Sequence, residues 1–444
     1  MSQIRSHSPP ARLLVLAAAL SSACVLDYTV GNTPQLTATD GADDESSTAA
    51  PEPAVCGDGV VGGDEACDDA NDVSDDGCDR DCRQTALVEW TRKDHGVLWG
   101  IIGLDVAVDP AGRIVVVGED NNMAFVMVLD PSGSLVWRRD VPNGARQFTT
   151  FTGVTVDEEG RIFAAGDGGV AGAGAPILHA FGPEGATLWT FEEPLAGVGD
   201  GIRALALGDG GLYSVGSELQ GDDSQDLVVR RHDPATGAVA WKVNHGDDGR
   251  IDATGVAVSG SAVAAVGFVG RDEDLFWHSL VVVLDQDGAP LWSQEEDAGV
   301  WSGVAAIGDG DLLLAGHGDH DDDGRYRAAL RRVGPDGAEV WRFTGDAPEE
   351  GFDDVVVGAD ETIVAVGTSR IADTQGTYSF ARHLTGDGMP TWISYFSKSD
   401  ALRETAKGVD FGPGFAVAAG YWDAPADPVE GSPSHMWVRR FAVH

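Results

Sequence analysis

The most chemically loaded stretch of the sequence is Asp319-His320-Asp321-Asp322-Asp323-Gly324. Carboxylate oxygens at positions 1, 3 and 5, with glycine at 6, are what a hard divalent cation requires of a tight loop, so Asp319, Asp321 and Asp323 are candidate calcium ligands. Position 12 is Leu330, where a bidentate glutamate would complete the set. His317 and His320 offer nitrogen to a transition metal, although two solvated histidines are the commoner arrangement. Acidic turns are frequent in a chain with 72 Asp and Glu against 29 Lys and Arg, and calcium is the one candidate cofactor. The resulting formal charge of -43 excludes phosphate-dominated nucleic-acid binding. Catalytic motifs are missing: there is no G-x-S-x-G elbow, no H-E-x-x-H pair and no phosphate loop, and the 11 histidines do not recur at a fixed spacing. The expectation is a non-catalytic protein with no catalytic residues.

The cysteines give an address. Arg5 and Arg12 flank the start of a chain whose apolar run LLVLAAAL, followed by Ser21-Ser22-Ala23-Cys24, is too short to span a bilayer and has the build of an export signal over residues 1–23. The run resembles a bacterial lipoprotein signal, which implies lipidation of Cys24; Ser21, Ser22 and Ala23 suit an ordinary signal peptidase equally well. Residues 24–55, rich in Thr, Ser, Ala, Pro and acids, have too few large apolar side chains to offset the entropy of ordering and read as a disordered tether.

The other four cysteines, Cys56, Cys67, Cys78 and Cys82, fall in CGDGVVGGDEACDDANDVSDDGCDRDC within residues 56–85. This resembles the short disulfide-rich repeat of surface proteins of myxobacteria and their relatives, with its C-G-D-G, E-x-C-D-D and D-G-C elements. A module with almost no apolar core needs crosslinks, and crosslinks need an oxidising compartment. Four cysteines allow three connectivities, all open at this level. The spacing lacks the paired C-x2-C knuckles of zinc sites.

What must position the loop residues is the remainder of the chain, 86–444. Trp137, Trp189, Trp241, Trp292, Trp341 and Trp392 follow one another at 52, 52, 51, 49 and 51 residues, each after a turn such as HDPATGAVAW. A fixed period near 50 marks a propeller or solenoid. Each unit also carries two short β-rich runs around a Gly, Asp or Pro turn, closed by Gly118, Gly166, Gly216, Gly267, Gly316, Gly367 and Gly420. A third run and the Trp run complete four strands of about four residues each, a blade. The fold expected is therefore all-β, a seven-bladed β-propeller behind a small disulfide-rich module. The last unit stops at its third strand, MWVRRF, while an unmatched fourth strand, ALVEW, precedes the first unit. The N-terminal strand, Leu87 to Trp90, should therefore complete the last blade beside Met436 to Phe441.

The turn Asp233, Thr236, Gly237 with Trp241 resembles the D-x-x-T-G-x-x-x-W repeat of quinoprotein-like propellers, which implies the fold and an inter-blade packing role for the tryptophan. It implies no quinone chemistry here, because that activity goes with eight blades and dedicated metal and cysteine features near the cofactor, and 86–444 has no cysteine.

Within such a ring, the connections after the second strand and between blades share one face and are long here: GSELQGDDSQD, GFVGRDEDLFWHS, GHGDHDDDGRYR and GYWDAPADPVEGSPSH. Binding resides on loops of this kind. Trp277, Tyr326, Tyr421 and Trp422 are the candidate contacts on an acidic face. The function expected is a monomeric, surface-anchored binding or adhesion scaffold, at the outer membrane or cell surface through the lipid alone and otherwise periplasmic or secreted. It would engage a protein, polysaccharide or cation; a secreted propeller enzyme acting on glycans or small molecules, and a structural envelope component, are the competing expectations.

Overall fold

The computed structural model describes residues 56–59, 61, 67–68, 70, 78, 82, 84–97, 100–170, 173–194, 201–220, 224–246, 249–270, 277–297, 299–308, 310–318, 325–370, 376–396, 403–423 and 433–443. These form 28 strands, numbered β1 to β28 in chain order, and pair as seven antiparallel sets of four. The fold is a β-propeller. Strands run to 6–10 residues rather than four, because the apolar alternation continues past the glycines into polar positions that still pair.

The first strand of each set lies innermost: β2 (Ile101–Val108), β6 (Phe148–Val156), β10 (Gly201–Gly208), β14 (Arg250–Ser259), β18 (Gly299–Ile307), β22 (Glu350–Val357) and β26 (Arg403–Gly412). Each touches its neighbours in turn, and β2 touches β26, so the ring is closed. The seam is made as the sequence requires. β1 (Leu87–His95) pairs antiparallel with β28 (Ser434–Ala442), from Leu87 opposite Ala442 to His95 opposite His435. Joining the two ends of the domain removes the edge that a three-stranded last blade would leave open.

Blades are fastened at the rim by the periodic tryptophans, which are half-buried, not core residues. The indole N–H of Trp189 donates to the carbonyl of Pro234 in the next blade at 3.1 Å. Trp90, Trp137, Trp241, Trp292 and Trp341 make the same bond to Pro131, Pro183, Gln286, Pro335 and Gly386. The glycine of the receiving turn is needed twice over. Gly237 has φ +75°, and a Cβ there would stand 2.5 Å from the Trp189 ring. Trp392 is the exception: the outer strands of the next blade, β28 and β1, come from opposite ends of the domain and offer no turn. Its ring stacks on His383 instead, with centroids 5.2 Å apart.

One expectation fails in the first blade. Its second and third strands are joined by a tight hairpin at Asn121 and Asn122, both at positive φ (51° and 66°), where a long loop was expected. Asn tolerates this conformation, which matches the twist of a two-residue hairpin.

In the small module the bridges are Cys56–Cys82 and Cys67–Cys78. The Asp68 carboxylate accepts hydrogen bonds from the backbone N–H groups of Gly57, Asp58, Gly59 and Ala70. The C-D-D element thus organises the C-G-D-G turn, and those bonds hold the Asp68 carboxyl below its ordinary range. Cys24 and the whole of residues 1–55 lie outside the described residues.

Candidate functional site

Every inner strand slips register once, and at the same place. The residue before the slip pairs with the repeat glycine of the second strand: Gly103 with Gly118, Phe151 with Gly166, Ile202 with Gly216, Ala253 with Gly267, Trp301 with Gly316, Phe352 with Gly367 and Ala406 with Gly420. A Cβ on Gly216 would lie 1.8 Å from the carbonyl oxygen of Gly201, so only glycine permits this approach. The slip is a β-bulge, which leaves one residue unpaired and re-aims it. The seven bulge residues are Leu104, Thr152, Arg203, Thr254, Ser302, Asp353 and Lys407. All seven line an axial cavity of about 260 Å³.

Three of the seven carry charge. Lys407 Nζ donates to Asp353 Oδ1 at 2.7 Å, and Thr368 donates to Asp353 Oδ2 at 2.9 Å. Burial works against the Lys407 ammonium, but the Asp353 charge more than offsets it and holds the group above its ordinary range. Arg203 stands 3.8 Å from Asp167. Thr152 and Thr254 are latches: their hydroxyls donate across the seams to the carbonyls of Ile202 (2.7 Å) and Trp301 (2.6 Å).

Deeper in the same cavity, Asp105, Asp354 and Asp410 each accept two backbone N–H bonds, one from the next residue and one from the neighbouring blade. The cross-seam donors are Val154, Val409 and Val108, at 2.7, 2.9 and 2.7 Å. Burial pushes the Asp354 carboxyl up to about 7 and that of Asp410 to about 6. Burial, with the charge of Asp354 beside it, raises Asp105 well above the usual range. These carboxylates strap the seams on either side of the blade containing β26, and that of the blade containing β2.

A second cavity, of about 250 Å³, opens between the fifth and sixth blades and shares Ser302 and Asp353 with the first. Its walls include His317, at the end of β19 (Asp311–Gly318); Tyr326, which precedes β20 (Arg327–Val333); Glu349; and Thr368 and Arg370 of β23 (Ile363–Arg370). The His317 and Tyr326 rings meet edge to face, with centroids 4.6 Å apart. Burial, then the charge of Glu349, raises the Tyr326 phenol above its ordinary range and keeps it protonated. Glu349 has φ +60°, uncommon for a residue with a Cβ. It is held there because its N–H donates to Tyr326 O (2.8 Å) and its carbonyl accepts from Arg370 N (3.1 Å), tying the two blades together under the pocket. Arg370 also pairs with the Glu349 carboxylate at 3.4 Å.

Of the aromatic contacts expected from the sequence, Tyr326 lines this pocket. Trp277 is exposed, edge-on to Phe268. Tyr421 is half-buried on β27 (Phe415–Asp423). Trp422 is a correction: it is 4% exposed, packed with Ala418 and Trp437, because β27 runs on past Gly420 and the alternation turns this side chain into the core. Asp319, His320, Asp321 and Asp323 lie outside the described residues. The sequence reading passed over Arg203, Asp353, Lys407 and Arg370. A usable signal exists for the first three: they occupy a position that varies in type and charge just before the small-apolar run that opens each unit, as in Arg203 before ALAL and Lys407 before GVDF.

The sequence matches no family model and no curated protein. Among solved structures it is similar to the polysaccharide lyase Uly1, at 9% identity and TM-score 0.52, over 80% of this chain and 100% of that one. Similar folds include a catalytically inactive virginiamycin B lyase from Staphylococcus aureus (10% identity, TM-score 0.48, 80% and 99% covered). Another is the quinohemoprotein alcohol dehydrogenase of Comamonas testosteroni (11%, 0.44, 80% and 76%). At such identities the likeness shows the propeller fold and nothing of the chemistry.

Proposed function

We propose that the protein is an exported, lipid-tethered binding scaffold that holds a polyhydroxylated ligand, a glycan, in the cleft formed where the pocket between the fifth and sixth blades meets the axial cavity. The supporting observation is the lining of that cleft. Hydroxyls of Ser302, Thr368 and Thr377, the acids Glu349 and Asp353, and the donors of Arg370 surround one phenol ring, that of Tyr326. A sugar presents alternating hydroxyls and an apolar ring face, and this set supplies partners for both. Export is supported by the two disulfides, which require an oxidising compartment. A monomer tethered through Cys24 completes the proposal, and Cys24→Ser should release it from membranes. Calcium on Asp319, Asp321 and Asp323 belongs to it as well: millimolar calcium should raise the melting temperature, and the triple Asp→Asn variant should lose that response.

The test is a glycan screen on the full chain, with Tyr326→Ala as the control. Binding that falls about tenfold or more in Tyr326→Ala supports the site. Binding unchanged by the substitution moves the site elsewhere. A second reading, a propeller enzyme acting at the same cleft, draws on the His317–Tyr326 pair, which sets a proton acceptor against a protonated phenol. Turnover of a bound glycan that is lost in His317→Ala would replace the scaffold by the enzyme.

A further inference from the structure

Arg203 is the bulge residue whose charge the protein leaves underused. Thr152 and Thr254 are spent on the seams, Asp353 and Lys407 on each other, and Leu104 is apolar. Among the described residues the ion pair of Arg203 is with Asp167 at 3.8 Å, a long contact. Burial raises the Asp167 carboxyl, and the Arg203 charge offsets only part of that rise. Arg203 lines the axial cavity and its side chain is 36% exposed, so a guanidinium with one long contact keeps donors available to a ligand.

We propose that Arg203 is an anion-recognition site, and that the ligand of the cleft is an acidic oligosaccharide whose pendant oxyanion, a uronate carboxylate or a sulfate ester, docks on this guanidinium. The proposal rests on the reading of the cleft as a glycan site and narrows its substrate class. Arg–oxyanion pairs are charge-assisted and commonly bidentate, so one such contact gives orientation as well as affinity. The other cations of the cleft are committed, Lys407 to Asp353 and Arg370 to Glu349 at 3.4 Å, and the raised carboxyls of Asp105, Asp354 and Asp410 lie deeper, each bound by two backbone N–H groups. The field of a chain at -43 repels densely charged polyanions, but it is screened beyond about 8 Å at physiological ionic strength. The ligand therefore carries isolated acid groups read by contact, not a continuous run of charge.

The experiment is an array of neutral, uronate-bearing and sulfated oligosaccharides, probed with the full chain and with Arg203→Gln and Arg203→Lys, followed by titration of the best binder. The expected result is binding on an acidic arm that weakens about tenfold or more in Arg203→Gln, with melting temperature unchanged. Arg203→Lys, which keeps the charge without the fork, should recover only part of it and serves as the test if the glutamine variant fails to fold. The arm that binds identifies the acid. Binding of neutral sugars as tight as that of acidic ones, or an acidic preference that survives in both variants, overturns the Arg203 assignment and leaves the glycan reading standing. No binding on any arm overturns both.

Discussion

At the rim of the ring, Trp90, Trp137, Trp189, Trp241, Trp292 and Trp341 repeat one residue type and one hydrogen bond from blade to blade. At the axis, seven positions that are geometrically just as equivalent carry Leu104, Thr152, Arg203, Thr254, Ser302, Asp353 and Lys407. Position in the fold is repeated in both places, so geometry alone does not account for the contrast. Where a packing problem recurs at every seam, the same solution recurs with it. Where the residue faces an open cavity, packing imposes no choice, and the side chains are free to differ for the sake of what enters. Within one chain, loss of repetition at a repeated position is thus a pointer to function that needs no second sequence.

The largest effect should come from the seam on which the rim depends. Deleting Ala86 to Thr91 removes half of the β1 ladder to β28 together with the Trp90 bond to Pro131. It should cost on the order of 5 kcal/mol or more, the sum of lost ladder bonds and a half-buried indole, and expose an edge prone to self-association. Denaturant unfolding and light scattering read both. Retained stability and monodispersity would mean that the ring does not depend on its closure.

Next comes the direct comparison of rim and axis. Trp189→Ala should lower stability by about 2 kcal/mol, less than a full core tryptophan because the ring is half-buried. Arg203→Gln should lie within about 0.5 kcal/mol of the parent, as expected of a residue with one weak contact. Equal losses in the two variants would erase the distinction between packing and recognition on which the reading of the axis stands.

Why the rim was legible in the sequence and the axis was not follows from the same contrast. The Trp period, the glycine that closes each second strand and the orphan ALVEW strand are repeats or breaks in repeats, visible in one dimension, and they lead to the ring and its closure. The bulges arise from pairing. The glycine is visible, but that it faces the slip point and so aims Arg203, Asp353 and Lys407 into one cavity is a fact of register between strands. Trp422 misleads for a related reason: polar residues after Gly420 look like a loop, yet β27 continues and its alternation buries the ring. The pocket between the fifth and sixth blades joins His317 of one hairpin to Glu349 and Arg370 at the open end of the next and leaves no local trace.

A pH series separates the straps of the axis from the rim, which has no titrating partner in its indole bonds. Asp354 and Asp410 hold their protons up to about 7 and about 6 in the folded chain, against an ordinary carboxyl near 4. A proton bound more tightly by the folded state favours folding. The contribution of these groups is therefore complete below pH 4 and is lost as pH rises through 6 to 7. Stability should rise on acidification from pH 8 to pH 5, and Asp354→Asn should flatten that slope across the window whatever it does to the absolute value. The parent slope also includes relief of general acidic repulsion, so the difference between the two proteins is the quantity to measure. A parallel pair of pH profiles would show that Asp354 titrates as an ordinary exposed acid.

The finest cut lies within the axial ring itself, between positions that serve the seam and positions that do not. Thr152 donates to Ile202 O at 2.7 Å across the seam between the second and third blades, so Thr152→Val keeps the shape and removes one hydrogen bond from a buried carbonyl. The cost should be about 1 kcal/mol, the usual net value of such a bond. Ser302 occupies the corresponding bulge in the fifth blade, but it borders both cavities, where a ligand hydroxyl can reach it. Ser302→Ala should leave stability within about 0.3 kcal/mol of the parent while weakening glycan binding by a few-fold, the loss expected for one neutral hydrogen bond. Thr152→Val should do the reverse, lowering the unfolding midpoint with binding intact. If the two substitutions shift stability and binding in the same proportion, the ring is one undivided structural layer. Opposite responses would divide it, residue by residue, into latches and contacts, and would fix Ser302 as the point where the axial cavity and the pocket beside it act on one ligand.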